Sequence, residues 1–524
     1  MQAPVSASLA AMRSLTQKFW FAASFLIASA LAFDASGQLT TQPSELCTGS
    51  PCRNLWVAED GDDGRDCSSE ADACATIGRA VSIAVQRGDT INVKAGVYTE
   101  GQAGCTYFGV DAMACFDADG TEDDPIVLQS APGHEGRVQI DGGTTFVGLN
   151  LRSHDYITVR NLEIVRMNVA GVVSGGPAVT SVDPNDESAF AVGVVVEGNH
   201  IRDVVSLNSG SNPGGVRMDN AKDWVVRNNL IDTVCGQPGE GGCRYTNSGC
   251  IYSYYIWNAT IEHNVCRNSG TAVKWKDHIV GKDGNPAHFG SLVRYNVGFE
   301  LLYGFLISSG NQEPEASNHT VTNNIFHSMD NGCMIVLPQI ANGDQSINFV
   351  FNHNVCVAPL NGVASNSEFD DIRGNIFVNV LSIAGGTYAF NDDGTSEINA
   401  SDYNVFAPEL GHMRMARPTA AADYYTLPEW QAALASDNVP LQFDFPDTHS
   451  IEATIGDLFT DFVNRDFRLA PGSPAVDLLP NGDDAGAYQT GHEIIGLLPG
   501  HMTQGLLFAD GFENGTSAWS AVVD

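Results

Sequence analysis

The chain has 524 residues, with 26 basic against 62 acidic side chains and a formal net charge of -36, which excludes a basic nucleic-acid-binding face. Hydrophobic residues make up 43%, charged residues only 17%, and glycines number 54, a composition that excludes disorder and long solvent-facing helices. A glycine-punctuated, sheet-rich protein is predicted, and any acidic polymer it met would need a local basic stripe or bound cations to offset the field.

The N-terminus carries Arg13 and Lys18, an apolar run from Phe19 to Phe33, and the small-residue triplet Ala30-Leu31-Ala32. This order predicts a secretory signal peptide over 1–32, hence a secreted protein, with a linker over 33–54. The apolar run is too short for a bilayer core, which takes roughly 18–20 residues, and no later segment is long enough to span. Twelve cysteines in an exported chain predict disulfides. Their spacing suggests local pairs: Cys47 with Cys52, Cys67 with Cys74, Cys105 with Cys115, Cys235 with Cys243, Cys250 with Cys266, and Cys333 with Cys356. No Cys-x-x-Cys pair is present, which argues against zinc.

Two acidic loops, Asp60–Asp66 and Asp117–Asp124, alternate carboxylates with glycine, so Asp117, Asp119 and Asp123 are candidate Ca2+ ligands. Neither loop completes a twelve-residue EF-hand pattern, and both also read as ordinary acidic loops.

From residue 156 onward a unit recurs: a short β-branched run, an asparagine, an apolar residue, a glycine-bearing turn and a second apolar run. Its asparagines are Asn161, Asn199, Asn229, Asn264, Asn296, Asn324, Asn354, Asn375 and Asn404, 21 to 38 residues apart. That spacing fits one coil of a solenoid, each coil burying its inward side chains against the next. Asparagine tolerates left-handed backbone angles, and its amide can bond the asparagine of the next coil, which predicts a ladder. A β-sandwich is the alternative, but Asn-Gly hairpins do not recur between the runs.

In these repeats the chain resembles the right-handed parallel β-helix proteins of the pectate-lyase-like superfamily. The resemblance extends to Leu55–Ala58, to the amphipathic Ala75–Ala84, to Gly88-Asp-Thr-Ile with the strand it begins, and to Phe467–Asp477 with Asp484–Tyr488. It implies an all-β, right-handed parallel β-helix solenoid over 55–490. The Ala75–Ala84 helix would cap the N-terminal end, and 467–488 would form the last coil. A tail over 491–524 follows, in which Leu507–Trp519 resembles a short C-terminal segment of secreted bacterial proteins and is a possible sorting segment. The architecture hosts lyases, hydrolases, epimerases and inert adhesins, so it does not choose a reaction.

Aligning the strands by their leading glycines, Gly215, Gly249, Gly270, Gly304 and Gly332, gives a register. Val216, Met218, Cys250, Tyr252, Val273, Phe305, Ile307, Cys333 and Ile335 are expected inward, and Arg217, Asp219, Ser253 and Lys274 outward on one face. Arg217 and Lys274 are then two coils apart, about 10 Å. Tyr254, Tyr255, Trp257, Trp275, Lys276, Asp277 and His278 surround them, a mixture of rings and charges that suits saccharides. Loops 206–215, 236–248 and 276–291 are expected to wall the groove.

The chemistry this set favours is β-elimination on a uronate polysaccharide, which needs a neutralised carboxylate, a base and a proton donor. Lys274 is the candidate base, activated by desolvation and by Arg217 and Lys276; Arg217 is the carboxylate clamp; Tyr254 or His278 is the proton donor. Asp219, Ser253, Trp275 and Lys276 are the candidate substrate-binding residues. The arginine expected one coil later in β-helix lyases that use a strand lysine is replaced by Leu306 and Ser308, which leaves the donor open. A solvated ion pair of Lys274 and Arg217 with Asp219 is the bland alternative. The competing functions are an inverting glycoside hydrolase, with Asp219 and Asp277 as carboxylates about 6.5–9.5 Å apart, and a non-catalytic carbohydrate-binding β-helix. The Asn-Thr-Asp, Gly-His-Gly and Arg-Ile-Lys signatures of β-helix polygalacturonases are absent, as is the Arg-x-Pro-x-x-Arg pattern of pectate lyases. The expected partner is an extracellular polysaccharide, and a monomer is expected.

Overall fold

The computed structural model describes residues 44–48, 52–175, 188, 190–207, 211–237, 239, 241–277, 288–309, 316–337, 347–358, 361–365, 369–379, 388–392, 401–408, 414–416, 423–424, 426–435, 447–491 and 493–498. The signal peptide, the 507–519 segment and His278 lie outside these residues. No described helix is long and apolar enough to cross a membrane.

Two long sheets, of 16 and 22 described strands, lie between Asn54 and Glu452, and their strands pair almost throughout in parallel with the equivalent strand of the next coil. The chain is thus a right-handed parallel β-helix, the handedness that crossovers between parallel strands take. One interior row makes the logic visible: Ile91, Leu128, Val159, Val196, Val226, Ile261, Val293, Val321 and Phe351 are register partners in succession, and all are fully buried. Side chains alternate across a strand, so the row one residue on faces outward: Arg160, Glu197, Arg227, Glu262 and Arg294. Near the N-terminus the helix Ile77–Ile83 begins at Thr76, whose hydroxyl accepts from the Arg79 amide, and buries Ile77, Ala80 and Val81 in the same core as Leu55 and Ile91.

The asparagine ladder runs from Asn199 through Asn229, Asn264, Asn296, Asn324, Asn354 and Asn375 to Asn404, each amide donating to the next side-chain oxygen at 3.0–3.1 Å. Each side-chain oxygen also accepts the backbone N–H of the preceding asparagine, as Asn296 does from Asn264. Two features depart from the sequence reading. The left-handed residue is the one before each rung, among them Gly198, Asn228, His263, Tyr295, Asn323, His353, Gly374 and Tyr403. Asn161 (φ 60°) occupies that preceding position, and Leu162 stands in the rung, its N–H donating to Asn199.

The disulfides follow the local spacing. Cys47 is bonded to Cys52, Cys67 to Cys74, and Cys105 to Cys115, all in the N-terminal third. Cys235 is bonded to Cys243, Cys250 to Cys266, and Cys333 to Cys356, within or between neighbouring coils. Cys250 and Cys333 are core side chains as expected, and Cys266 and Cys356 lie in the same core.

The C-terminal segment is not the last coil. The row just after the rungs is apolar from Leu230 through Val265, Val297, Ile325, Val355 and Ile376 to Val405, whereas earlier coils carry Gln139, Glu163 and His200 there. Leu458, Phe459, Phe467, Ala475, Ala485, Ala487, Tyr488, Ile495 and Leu497 cover that outer row. The strap is tied down coil by coil: Gly486 N–H donates to Gly374 O, Asn323 to Ala487 O, and Leu498 N–H to Asn228. An apolar row facing outward needs cover, and this segment supplies it.

Candidate functional site

Three successive strands, Gly214–Met218, Gly249–Tyr254 and Val265–Asp277, place Arg217, Tyr252 and Lys274 in one row, with Tyr254 and Lys276 paired two residues on. Arg217 and Lys274 are therefore two coils apart on one outward face. The detailed register corrects the alignment by glycines. Gly249 pairs with Gly214, not Gly215, and a one-residue slip exchanges inside and outside. Tyr252, expected in the core, faces outward with Tyr254 and Tyr255, and Ile251 takes its place inside. Ser253, expected on the surface, is fully buried in register between Met218 and Trp275. Trp275 is likewise a core side chain, edge-on to Phe305 at 5.8 Å, so neither it nor Ser253 meets a ligand on that face. Further on, Phe305 pairs with Met334 rather than Cys333, which puts Ile335 at the register position of Leu306 instead of the inward one.

Arg217, 5% exposed, is held on all sides. Its Nε donates to Asp219 Oδ2 at 2.9 Å, its Nη1 donates to Asn212 O at 2.9 Å, and its Cζ lies 5.2–5.9 Å from the ring centroids of Tyr107, Phe108, Tyr252 and Tyr254. Burial opposes its charge, but Asp219 and the surrounding phenols outweigh it, and the guanidinium stays protonated. Asp219 is 0% exposed and also accepts from Tyr107 Oη at 2.5 Å. The ion pair with Asp219 is thus observed for Arg217, buried rather than solvated, and not for Lys274. Arg217 is not a free clamp, and Asp219 is not a surface carboxylate for substrate binding or water activation; Asp277 is described only in its backbone.

The lysines differ. Lys274 is 1% exposed, and among the described residues neither it nor Lys276 has a carboxylate partner. Lys274 Nζ donates to Thr246 O and, at 3.0 Å, to Asn247 Oδ1. Lys276 Nζ lies 3.3 Å from that same oxygen and 3.3 Å from Asn212 Oδ1. Burial first, then the charge of Lys276, lowers the Lys274 pKa well below the ordinary lysine value. Burial and then Arg217 lower that of Lys276 to about 8. Tyr254 accepts from Asn212 Nδ2, and burial chiefly raises its pKa, which keeps the phenol protonated. One neutral amide oxygen therefore bridges two amines, in the place an anionic oxygen would be favoured.

The walls come partly from two loops the sequence marked, through Asn212 of 206–215 and Thr246 and Asn247 of 236–248, and partly from a hairpin it did not, Thr106–Tyr107 with Val110–Cys115. Tyr107, Asn212 and Asn247 were missed; the aromatic pair inside the Cys105–Cys115 loop was the available signal.

The acidic loop does not fit a calcium site. Asp117 pairs with Arg152, Asp119 with His154 and the Asp155 amide, Asp123 is exposed, and among the described residues no three His, Cys, Asp or Glu side chains are grouped to hold a metal.

No protein-family model matches the chain, and none of the curated proteins matches it. Among solved structures it is similar to a GH136 lacto-N-biosidase from Eubacterium ramulus, at 12% identity and TM-score 0.49, over 77% of this chain and 68% of that one. It is also similar to the pectate lyase Pel9A, at 14% identity and TM-score 0.46, over 83% of this chain and 96% of that one. A rhamnogalacturonan lyase matches at 12% identity and TM-score 0.38, over 74% and 93%. These likenesses carry no argument about activity.

Proposed function

We propose that the protein is a secreted, carbohydrate-active β-helix that cleaves a uronate-containing polysaccharide by β-elimination. The observation that carries this reading is the pair Lys274 and Lys276, buried or half-buried beside one shared amide oxygen, with no described carboxylate to neutralise either. Burial lowers the proton affinity of both, Lys274 well below the ordinary lysine value and Lys276 to about 8, which suits the first to act as a base and the second as a cation. Lys276, still mostly charged below about pH 8, would neutralise the uronate carboxylate, a role that falls to it because Arg217 is committed to Asp219. Lys274, in its deprotonated form, would remove the proton α to that carboxylate. The electron pair left behind forms the new double bond, the bond to the leaving glycosidic oxygen breaks, and Tyr254 gives that oxygen its proton. Asn247 Oδ1 marks the seat of the carboxylate, so substrate has to displace the 245–248 turn to reach Lys274.

The disulfides suit an oxidising extracellular compartment. The burial of Lys274 under that turn favours a second reading, a non-catalytic carbohydrate-binding protein in which the lysines only hold the loop. A screen of pectate, alginate, glycosaminoglycans and neutral glycans decides. Ultraviolet absorbance from an unsaturated product supports the lyase, reducing ends without absorbance indicate hydrolysis, and retention without either indicates binding alone.

A further inference from the structure

The hairpin of Thr106–Tyr107 with Val110–Cys115 turns through two residues, Phe108 and Gly109, both left-handed, at φ 47° and 78°. Glycine suits that conformation, and the space around Gly109 is open. A bulky phenylalanine there is a rarity that the backbone resists. Nor does packing explain it: Phe108 is 63% exposed, among the most exposed large apolar side chains described. Its neighbours are nonetheless fixed. Tyr107 is buried with its hydroxyl on Asp219, the disulfide of Cys105 with Cys115 closes the hairpin base, and Asn150 Nδ2 donates to Thr106 O at 3.1 Å. The ring therefore stands exposed on a pinned tip, edge-on to Tyr107 at 4.5 Å and 5.9 Å from the Arg217 guanidinium, at the margin of the face that carries Tyr254 and the two lysines.

We propose that Phe108 is a stacking platform for one pyranose ring of the bound chain, a positioning residue that contributes to affinity rather than to bond cleavage. The proposal rests on the reading of this face as a saccharide site. An aromatic face meets the axial C–H surface of a pyranose whatever its charge, so the platform accepts uronates and neutral sugars alike and leaves discrimination to the lysines.

The test uses the full disulfide-bonded protein with Phe108→Gly and Phe108→Tyr, measured by affinity electrophoresis and steady-state kinetics on pectate, alginate, hyaluronan and xylan. Phe108→Gly removes the ring and relieves the left-handed strain, so its melting temperature is expected to hold or rise while the Kd or KM for the bound glycan rises about tenfold, with kcat unchanged. Phe108→Tyr is expected to keep wild-type affinity. Unaltered affinity in Phe108→Gly overturns the proposal, and so does a loss of melting temperature that accompanies the loss of affinity, since the ring would then merely support Arg217. If the wild type binds none of the four glycans, the saccharide reading itself falls and the platform with it. Binding without an unsaturated product refutes the elimination alone and leaves the platform standing.

Discussion

Two outward faces of the same coils treat their cations in opposite ways. On one, arginines and glutamates alternate up the stack: Arg227 meets Glu197 at 2.7 Å and Arg294 meets Glu262 at 2.8 Å, each pair built from adjacent coils. On the other, Lys274 and Lys276 are enclosed, and among the described residues the oxygens they bond are neutral. Burying a charge without a counter-ion works against folding, and the paired ladder shows that this scaffold supplies counter-ions readily. The contrast teaches which cations to read as structural. Arg217, with Asp219 beneath it, belongs with the paired set although it stands on the lysine face.

The sharpest way to break this contrast is Lys274→Met. On a substrate that the wild type cleaves, turnover is expected to fall about a thousandfold, as loss of a general base typically costs, with melting temperature held or raised. Retained turnover assigns Lys274 to the loop alone. Next in size, Asn296→Ala orphans the backbone N–H of Asn264 and removes the bonds that the Asn296 amide donates to Ile261 O, Arg294 O and Asn324, and is expected to destabilise the fold by about 3 kcal/mol in denaturant titration, without changing the substrate preference. Arg227→Met leaves buried Glu197 with Arg160, 3.7 Å away, as its cation among the described residues, and is expected to cost about 2 kcal/mol of stability and no turnover at fixed folded fraction. If Arg227→Met abolished activity in a folded protein, the division between the two faces would collapse.

The smallest effects are in pH. The rate is expected to rise as Lys274 loses its proton and to fall above about pH 8 as Lys276 loses its own; Lys276→Arg, which keeps its charge, should move the falling limb upward. Stability carries the same signature. Both lysines bind protons less tightly in the fold than in the open chain, so their penalty is full at low pH. For Lys276 it fades as pH climbs from about 8 towards the ordinary lysine value near 10.4; for Lys274 the fading opens at its own lowered value and ends at the same upper bound. Denaturant titrations of the wild type against the double methionine variant across that window measure the difference.

The coil was legible because it repeats. A buried asparagine amide at one corner bonds the asparagine at the same corner of the next coil, so the ladder leaves a mark every turn. The shared row of Arg217 and Lys274 followed from that period. The disulfides were legible for a different reason: partners such as Cys235 and Cys243, only 8 residues apart, can meet without knowledge of the fold. What failed was one-residue register: Gly214-Gly215 offers two alignments, and the wrong one moved Tyr252 inside and Ser253 outside. The strap over Val265–Val405 was illegible because its contacts cross the coils without repeating. The Tyr107–Asp219 bond was equally so, joining residues 112 apart with no local pattern to announce it.

The protonation state of the two lysines tests the account most directly. With the chain labelled at lysine Cε by 13C, a titration should find Lys274 losing its charge well below the ordinary lysine value and Lys276 changing charge near 8. Two lysines that both remain ammonium until about pH 10 would contradict it and place them with the structural cations.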